Sequence, residues 1–346
     1  MKDSLISDVK FNCDVSDAKF WGYFSLCGLL MRFRDLYRSE RNLPPWAPID
    51  QKEISGWIAE KEARWAELEA MDFRTLMIEG EQYDPFDISG INNALKHTGL
   101  IYGAGYGVYM KPNFLLAELQ ARTEILDYTV YFAERELARD VFVSSGMVQG
   151  RCIFLRLEPL QAFLWEKFLE SGAKKNLYLD YGFQHYGFSP GQNRDAGFEK
   201  DFKEMVRNYS DVVLHHELAE AMEDVPEWPD ILTKAGDRDT ELLIRALKDL
   251  ISDTSGHGPL KKIILTKDRG ALGLYTGLID GYRKGMYPEI RQAFQKFVLH
   301  EEWQIMEAAR EAGYSKFIAL REKVLASYKA GRSKESLSRE VKALLS

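Results

Sequence analysis

Cysteine is scarce in this chain: Cys13, Cys27 and Cys152 are the only three in 346 residues. Their number is odd, their spacing is wide and no C-x-x-C pair occurs, which argues against a disulfide framework and against a cysteine-type zinc site. Buried, reduced thiols in a reducing, cytoplasmic compartment are the expectation. Long apolar runs are missing too. The longest, Phe20 to Met31, is closed off by Lys19 and Arg32, and a helix that short cannot cross a bilayer. No membrane span is expected, and only an interfacial role stays open. The opening MKDSLISDVKFNCD has no apolar core of the secretory kind. An excess of basic charge is also absent: the net charge is −7 and the isoelectric point about 5.6. Phosphate binding needs a basic footprint, so no nucleic-acid partner is expected. Residues 316–346 are a local exception, with eight Lys or Arg against three Glu, a pattern that reads as a solvated helix face. No G-x-S-x-G elbow and no cysteine–histidine neighbourhood appear, which weakens the familiar nucleophilic hydrolases.

What is present describes a globular protein. Apolar residues make up 45%, charged residues 29% and aromatic residues 12%, too apolar and too weakly charged for disorder. The length exceeds what one hydrophobic core usually supports, so two domains are expected, 1–159 and 160–346. The fold class is mainly α with α+β character: a helical bundle or array carrying one small antiparallel meander at about residues 100–134. Asp17 reads as the cap of a core helix through FWGYFSLCGLLMRFRDLYRSE, stopped by RNLPPWAP. A second helix runs from about Asp50 to Met71, EGEQYDPFD reads as a loop, and Asp87 caps a short helix. In LIYGAGYGVYM, residues Tyr102, Ala104, Tyr106, Val108 and Met110 alternate with Gly103, Gly105 and Gly107. A phosphate loop needs its glycines between a strand and a helix N-terminus. Here the alternation runs straight through them, so a strand with one flat face is the better reading. NFLLAELQARTEIL and DYTVYFAE complete the meander, and helix is expected to resume at RELARDVFV, where Arg139 and Asp140 read as a local ion pair. From Leu157 onward helices dominate, notably Ala196–Glu223 and Asp239–Asp253.

Chemistry concentrates in VVLHHELAEAME. Met205, Tyr209, Val212, His216 and Ala219 follow a 4-3-4-3 spacing that puts His216 on an apolar seam, with Glu220 one turn on. Ligands at i and i+4 on one helix face grip a single metal ion in the H-E-x-x-H zinc motif. The present motif is H-E-x-x-E, with Glu217 in the general-base place. Asp249 and Asp253, also at i and i+4, flank the stripe of the next long helix and need partners. Either Arg245 pairs with them along the helix, or a divalent metal, zinc or iron, is shared by His216, Glu220, Asp249 and Asp253. The plainer alternative is a core histidine hydrogen-bonded to a neighbouring carboxylate.

The segments GLIYGAGYGVYMKPNFLLAEL, RELARD, HHELAE and ELLIRALKDLISDT, taken in order, resemble an uncharacterised family of bacterial proteins. That resemblance covers most of the chain and implies a bacterial cytoplasmic protein of two coupled parts, with no activity to carry over. Two functions follow as expectations. The first is a non-catalytic interaction or structural protein with a protein or small-molecule partner. The second is a metal-dependent enzyme built on the His/Glu/Asp cluster.

Overall fold

The computed structural model describes residues 2–345 apart from 24, 108, 109, 143, 174, 175, 193, 224 and 332. Val108 of the alternating strand pattern therefore lies outside the described residues. Residue contacts divide the chain into two compact units, Met1–Glu166 and Lys167–Ser346. The fold is mainly α.

The first unit is organised by α1 (Lys2–Phe20), which is buried on two faces. Leu5, Val9 and Cys13, spaced one turn apart, pack on Tyr102, Ala104, Phe114 and Leu116 of the sheet. Phe11, Val15 and Ala18 turn the other way, toward Phe33 and Leu36 of α2 (Leu26–Glu40) and Trp57 and Trp65 of α3 (Gln51–Leu68). A helix clamped on both sides has no room for a fully polar face. The polar residues Asn12, Asp14, Ser16 and Asp17 of its second half are accordingly buried and bonded: Asn12 exchanges two hydrogen bonds with the Arg74 backbone, and Asp14 takes Lys61 at 2.9 Å and Arg64 at 2.6 Å.

Asp17 is not a helix cap. It lies in the last turns of α1, 1% exposed, and accepts from the Val141 backbone N–H. The expected single core helix is instead two helices. They are separated by a 3-10 turn, Trp21–Tyr23, and Ser25 caps the second by accepting from Gly28 N. The apolar run predicted to be buried is largely in water at the break, with Leu26 73% exposed. Cys13 is buried as expected, whereas Cys27 is exposed and Cys152 half-buried.

After α3 the chain forms a short hairpin, β1 (Leu76–Ile78) and β2 (Glu81–Tyr83). This hairpin occupies part of the segment that reads as loop, and its turn residues Glu79 and Gly80 both take positive φ, the geometry of a tight two-residue hairpin. Asp87 caps α4 (Ile88–Ala94) through Gly90 N. The main sheet follows: β3 (Leu100–Tyr106), β4 (Pro112–Ile125), β5 (Tyr128–Arg139), β6 (Gly146–Gln149) and β7 (Cys152–Arg156), in spatial order β3-β4-β5-β7-β6. It is larger than the expected meander and mixed, because β5 and β7 run parallel. RELARD is the end of β5, not a helix. Three of its four charges, Glu136, Arg139 and Asp140, are buried: Glu136 is 3% exposed and binds Arg156 through both oxygens. Arg139 and Asp140 do not pair with each other. As neighbours on an extended chain they face opposite ways, Arg139 toward Glu136 and Asp140 toward Lys111.

Register shifts between Leu116 and Ala121 bulge the β4–β5 ladder, and bulges bend and twist a sheet. The bend lets side chains of β6 lie across the glycine face of β3. A Cβ on Gly103 would sit 2.9 Å from Met147 Cε, and one on Gly105 would strike the Gln149 amide. The glycines are therefore a seat for neighbouring side chains. Near the β3–β4 connection Lys111, 2% exposed, lies 3.1 Å from Asp17 and 3.2 Å from Asp140 and donates to Ser16 Oγ. Burial alone would lower the Lys111 pKa, but Asp140 and Asp17 outweigh it and hold the ammonium charged.

Helix α5 (Leu157–Ala173) follows the sheet directly. The described regular elements of the second unit are all helices: α6 (Leu177–His185), α7 (Ala196–Met222), α8 (Trp228–Thr233), α9 (Arg238–Thr254), α10 (Pro259–Thr266), α11 (Arg269–Leu278), α12 (Gly281–Met286), α13 (Pro288–His300), α14 (Trp303–Lys329) and α15 (Lys334–Leu345). Asp195 and Asp237 cap α7 and α9 through Phe198 N and Thr240 N. At the other end of α9 the buried Arg310 donates to the Thr254 carbonyl at 2.6 Å, a cation at the negative end of a helix dipole. Rings of Phe168, Phe183, Phe188, Phe198 and Phe202 pack together around the start of α7.

Removing one partner of a buried ion network leaves the other charges unpaired. Lys111→Met should therefore lower unfolding free energy by about 3–5 kcal/mol, read from urea denaturation. Adding Asp17→Asn should recover part of that loss. A loss below about 1 kcal/mol would show that Lys111 is no more than a surface-type pair.

Candidate functional site

The α7–α9 contact carries the chemistry-bearing residues of the sequence. On α7 the seam residues Met205, Tyr209, Val212 and Ala219 are buried, as their spacing requires. His216 shares their face but keeps 22% of its side chain exposed. Its Nδ1 lies 2.7 Å from Asp253 Oδ1, and Asp253, 2% exposed, accepts from the Tyr275 hydroxyl through its second oxygen at 3.0 Å. His216 Nε2 is 3.9 Å from Glu220 Oε2. The other Glu220 oxygen accepts from Lys248 Nζ at 3.0 Å. Asp249 has Arg283 at 3.8 Å, whereas Arg245 turns to Glu241 at 2.8 Å. Glu217 follows His216 by one residue, so it points to a different side of α7, and it is the more buried of the two.

The helices thus gather His216, Glu220, Asp249 and Asp253 into one neighbourhood, each beside a protein group of opposite charge. Among the described residues, no three or more His, Cys, Asp or Glu side chains are arranged to hold a metal ion. Elsewhere the His257 carbonyl meets His215 Nδ1, and Glu301 forms a two-pronged pair with Arg269. Tyr275 and Arg283, which complete the cluster, were not legible in the sequence. They come from α11 and α12, and nothing in local spacing links them to α9. Lys248 had a signal, since it precedes Asp249 on the same helix.

Two domain models of a family of unknown function, DUF6866, match the chain, the N-terminal domain over residues 4–156 and the C-terminal domain over residues 161–346. The chain belongs to the DUF6866 family. No curated protein matches the chain, and no solved structure does. DUF6866 membership therefore brings no activity with it, and the chemistry has to be argued from the side chains.

In this DUF6866 protein burial alone would lower the His216 pKa, but the Asp253 carboxylate, its hydrogen bond, and then Asp249 and Glu217 outweigh that and push it up to about 10. Paired with Asp253 in this way His216 favours the imidazolium form, and a metal ion would have to displace the proton it holds before it could bind. Burial raises Glu217 to about 7, with His216 pulling down and Glu220 and Asp249 pushing up. For Glu220 burial pushes up, but Lys248 and His216 outweigh it, so the group ionises more readily than a free carboxyl. Asp249 is raised, chiefly by burial.

A histidine whose folded pKa exceeds its ordinary value contributes stability fully below about pH 6.5 and loses it as pH rises through about 10. Between those limits the folded state holds a proton that the unfolded state has released, so stability falls by up to about 1.4 kcal/mol per pH unit. His216→Gln removes that proton. The variant should be much less stable than the parent at pH 6 and converge on it near pH 10, in urea titrations at each pH. Parallel curves for the two proteins would rule out the Asp253–His216 charge pair.

Proposed function

We propose that the protein works by binding a protein or small-molecule partner and not by catalysis, as a bacterial cytoplasmic protein of two domains, 1–159 and 160–346. One observation carries the reading. The side chains best suited to chemistry are matched among themselves: His216 as imidazolium against Asp253, Asp253 against Tyr275 and Glu220 against Lys248. A general base or a metal ligand must offer a lone pair, and an imidazolium held by a buried carboxylate must first give up its proton to do so. The cluster then acts as a clasp between α7 and α9. The net charge of −7 supports a partner other than nucleic acid, and the exposed thiol of Cys27 suits a reducing compartment.

A second reading has an observation of its own. Glu217 is a buried carboxyl raised to about 7, the range of a general acid or base, and His216 Nε2 faces Glu220 at 3.9 Å. A metal-dependent enzyme would bind zinc or iron through His216, Glu220, Asp249 and Asp253, with Glu217 as base. Loading would require the ion to displace both the His216 proton and Lys248.

Metal analysis separates the two. Protein purified without an affinity tag from zinc- and iron-supplemented medium should carry only background metal, and His216→Ala should leave that level unchanged. About one metal ion per chain, lost on His216→Ala, would overturn the binding reading in favour of the enzyme.

A further inference from the structure

The first unit contains a cavity of about 420 Å³, within the roughly 300–1,000 Å³ typical of small-molecule sites. Its walls come from α2, the loop after it, the end of β5, the residue before β6 and the start of α5. Arg32, Asp35 and Arg38 of α2 line it at successive helical turns, and Arg139 lines it from β5. Arg139 is 7% exposed. Its Nε lies 3.3 Å from Glu136 Oε2, yet neither Nε nor Nη1 has a hydrogen-bond partner among the described residues, and Arg38 Nε has none either. The reason lies one strand over. Both Glu136 oxygens are taken by Arg156, so one carboxylate serves two guanidinium groups. Glu158, also in the wall, accepts from the Glu136 backbone, and burial raises its pKa, which weakens it as a counter-charge.

Buried charged donors are normally met by acceptors, and the planar guanidinium fork matches a carboxylate or phosphate. The remaining walls limit what such a ligand can be. Asp35, Glu158 and Glu166 balance the three arginines in number, so a polyanion would be repelled while a single oxyanion facing Arg139 would not. Met31, Leu43 and Phe163 supply apolar wall for an organic body. We infer that this cavity binds a small organic molecule carrying one oxyanionic group, a carboxylate or phosphate monoester, held by Arg139 and Arg38 with its apolar part against Met31, Leu43 and Phe163. The site is independent of the His216 cluster, so metal analysis of that cluster and the binding test below can fail separately.

Isothermal titration and thermal shift of the full chain with phenylacetate, phenyl phosphate and the neutral 2-phenylethanol provide the test. At least one of the two anions should bind with one-to-one stoichiometry and raise the melting temperature, and the alcohol should not. Arg139→Gln should weaken anion binding at least ten-fold. Should that variant fail to fold, Arg38→Gln must show the same loss, because it removes the other lining arginine with an unpaired donor. Absence of binding by both anions, equal binding of the alcohol, or affinity unchanged in the folded variants would each overturn the assignment and leave a water-filled cavity.

Discussion

The first unit depends on a lysine placed where lysines seldom are. Lys111 sits between Asp17 of α1 and Asp140 at the end of β5, and those carboxylates do more than balance its charge. Asp17 accepts the Val141 N–H, and Asp140 accepts the N–H groups of Phe114 and Phe142. One ammonium group thus fixes two carboxylates, which in turn satisfy backbone donors in two other segments. Burying three charges is costly unless every lone pair and proton is used, and here the network uses the backbone to complete itself. Cys13 adds a bond from α1 to the Phe114 carbonyl, so the helix is anchored to the sheet by polar contacts as well as by its apolar turns.

Burial of charge also explains which parts of this fold were legible in the sequence. Where charge lay outside and apolar residues inside, periodicity was a good guide. The helices at Ala196–Met222 and Arg238–Thr254, the cap at Asp87 and the flat glycine strand all follow from it. It failed where the chain inverts the rule. Glu136, Arg139 and Arg156 are interior, so the end of β5 looks amphipathic in the wrong sense and the two strands beyond it go unnoticed. The polar residues Asn12, Asp14 and Asp17 look too wet for a core helix, while Trp21–Tyr23 looks too apolar for a surface turn, yet the first are buried and the second exposed.

The α7–α9 cluster teaches a related point. Helical spacing correctly brings His216 and Glu220 onto one face, and the two long helices bring Asp253 within hydrogen-bond reach. Spacing cannot report the protonation state, which the distant groups decide. Tyr275, Lys248 and Arg283 reach the carboxylates from other turns and other helices. They pair with or hydrogen-bond to the same carboxylates that helical spacing offers as prospective ligands. The arginines around the first unit's cavity are the reverse case: Arg32 and Arg38 look like solvated helix residues, and the end of β5 that lines the pocket with them is the segment that reads as helix.

The separation along the chain between α1 and its partners has a consequence for biosynthesis. Asp17 and the Val141 amide it receives are 124 residues apart, and Cys13 and the Phe114 carbonyl are 101 apart. At about 5–20 residues per second the ribosome takes on the order of ten seconds to supply what α1 needs. Throughout that interval the face of α1 that carries Leu5, Val9 and Cys13 has no sheet to pack against, while α2 and α3 are already there for the other face. The sheet-facing side of α1 is therefore among the last parts of its unit to be secured, and Asp14 and Asp17 help to keep the helix solvated while it waits.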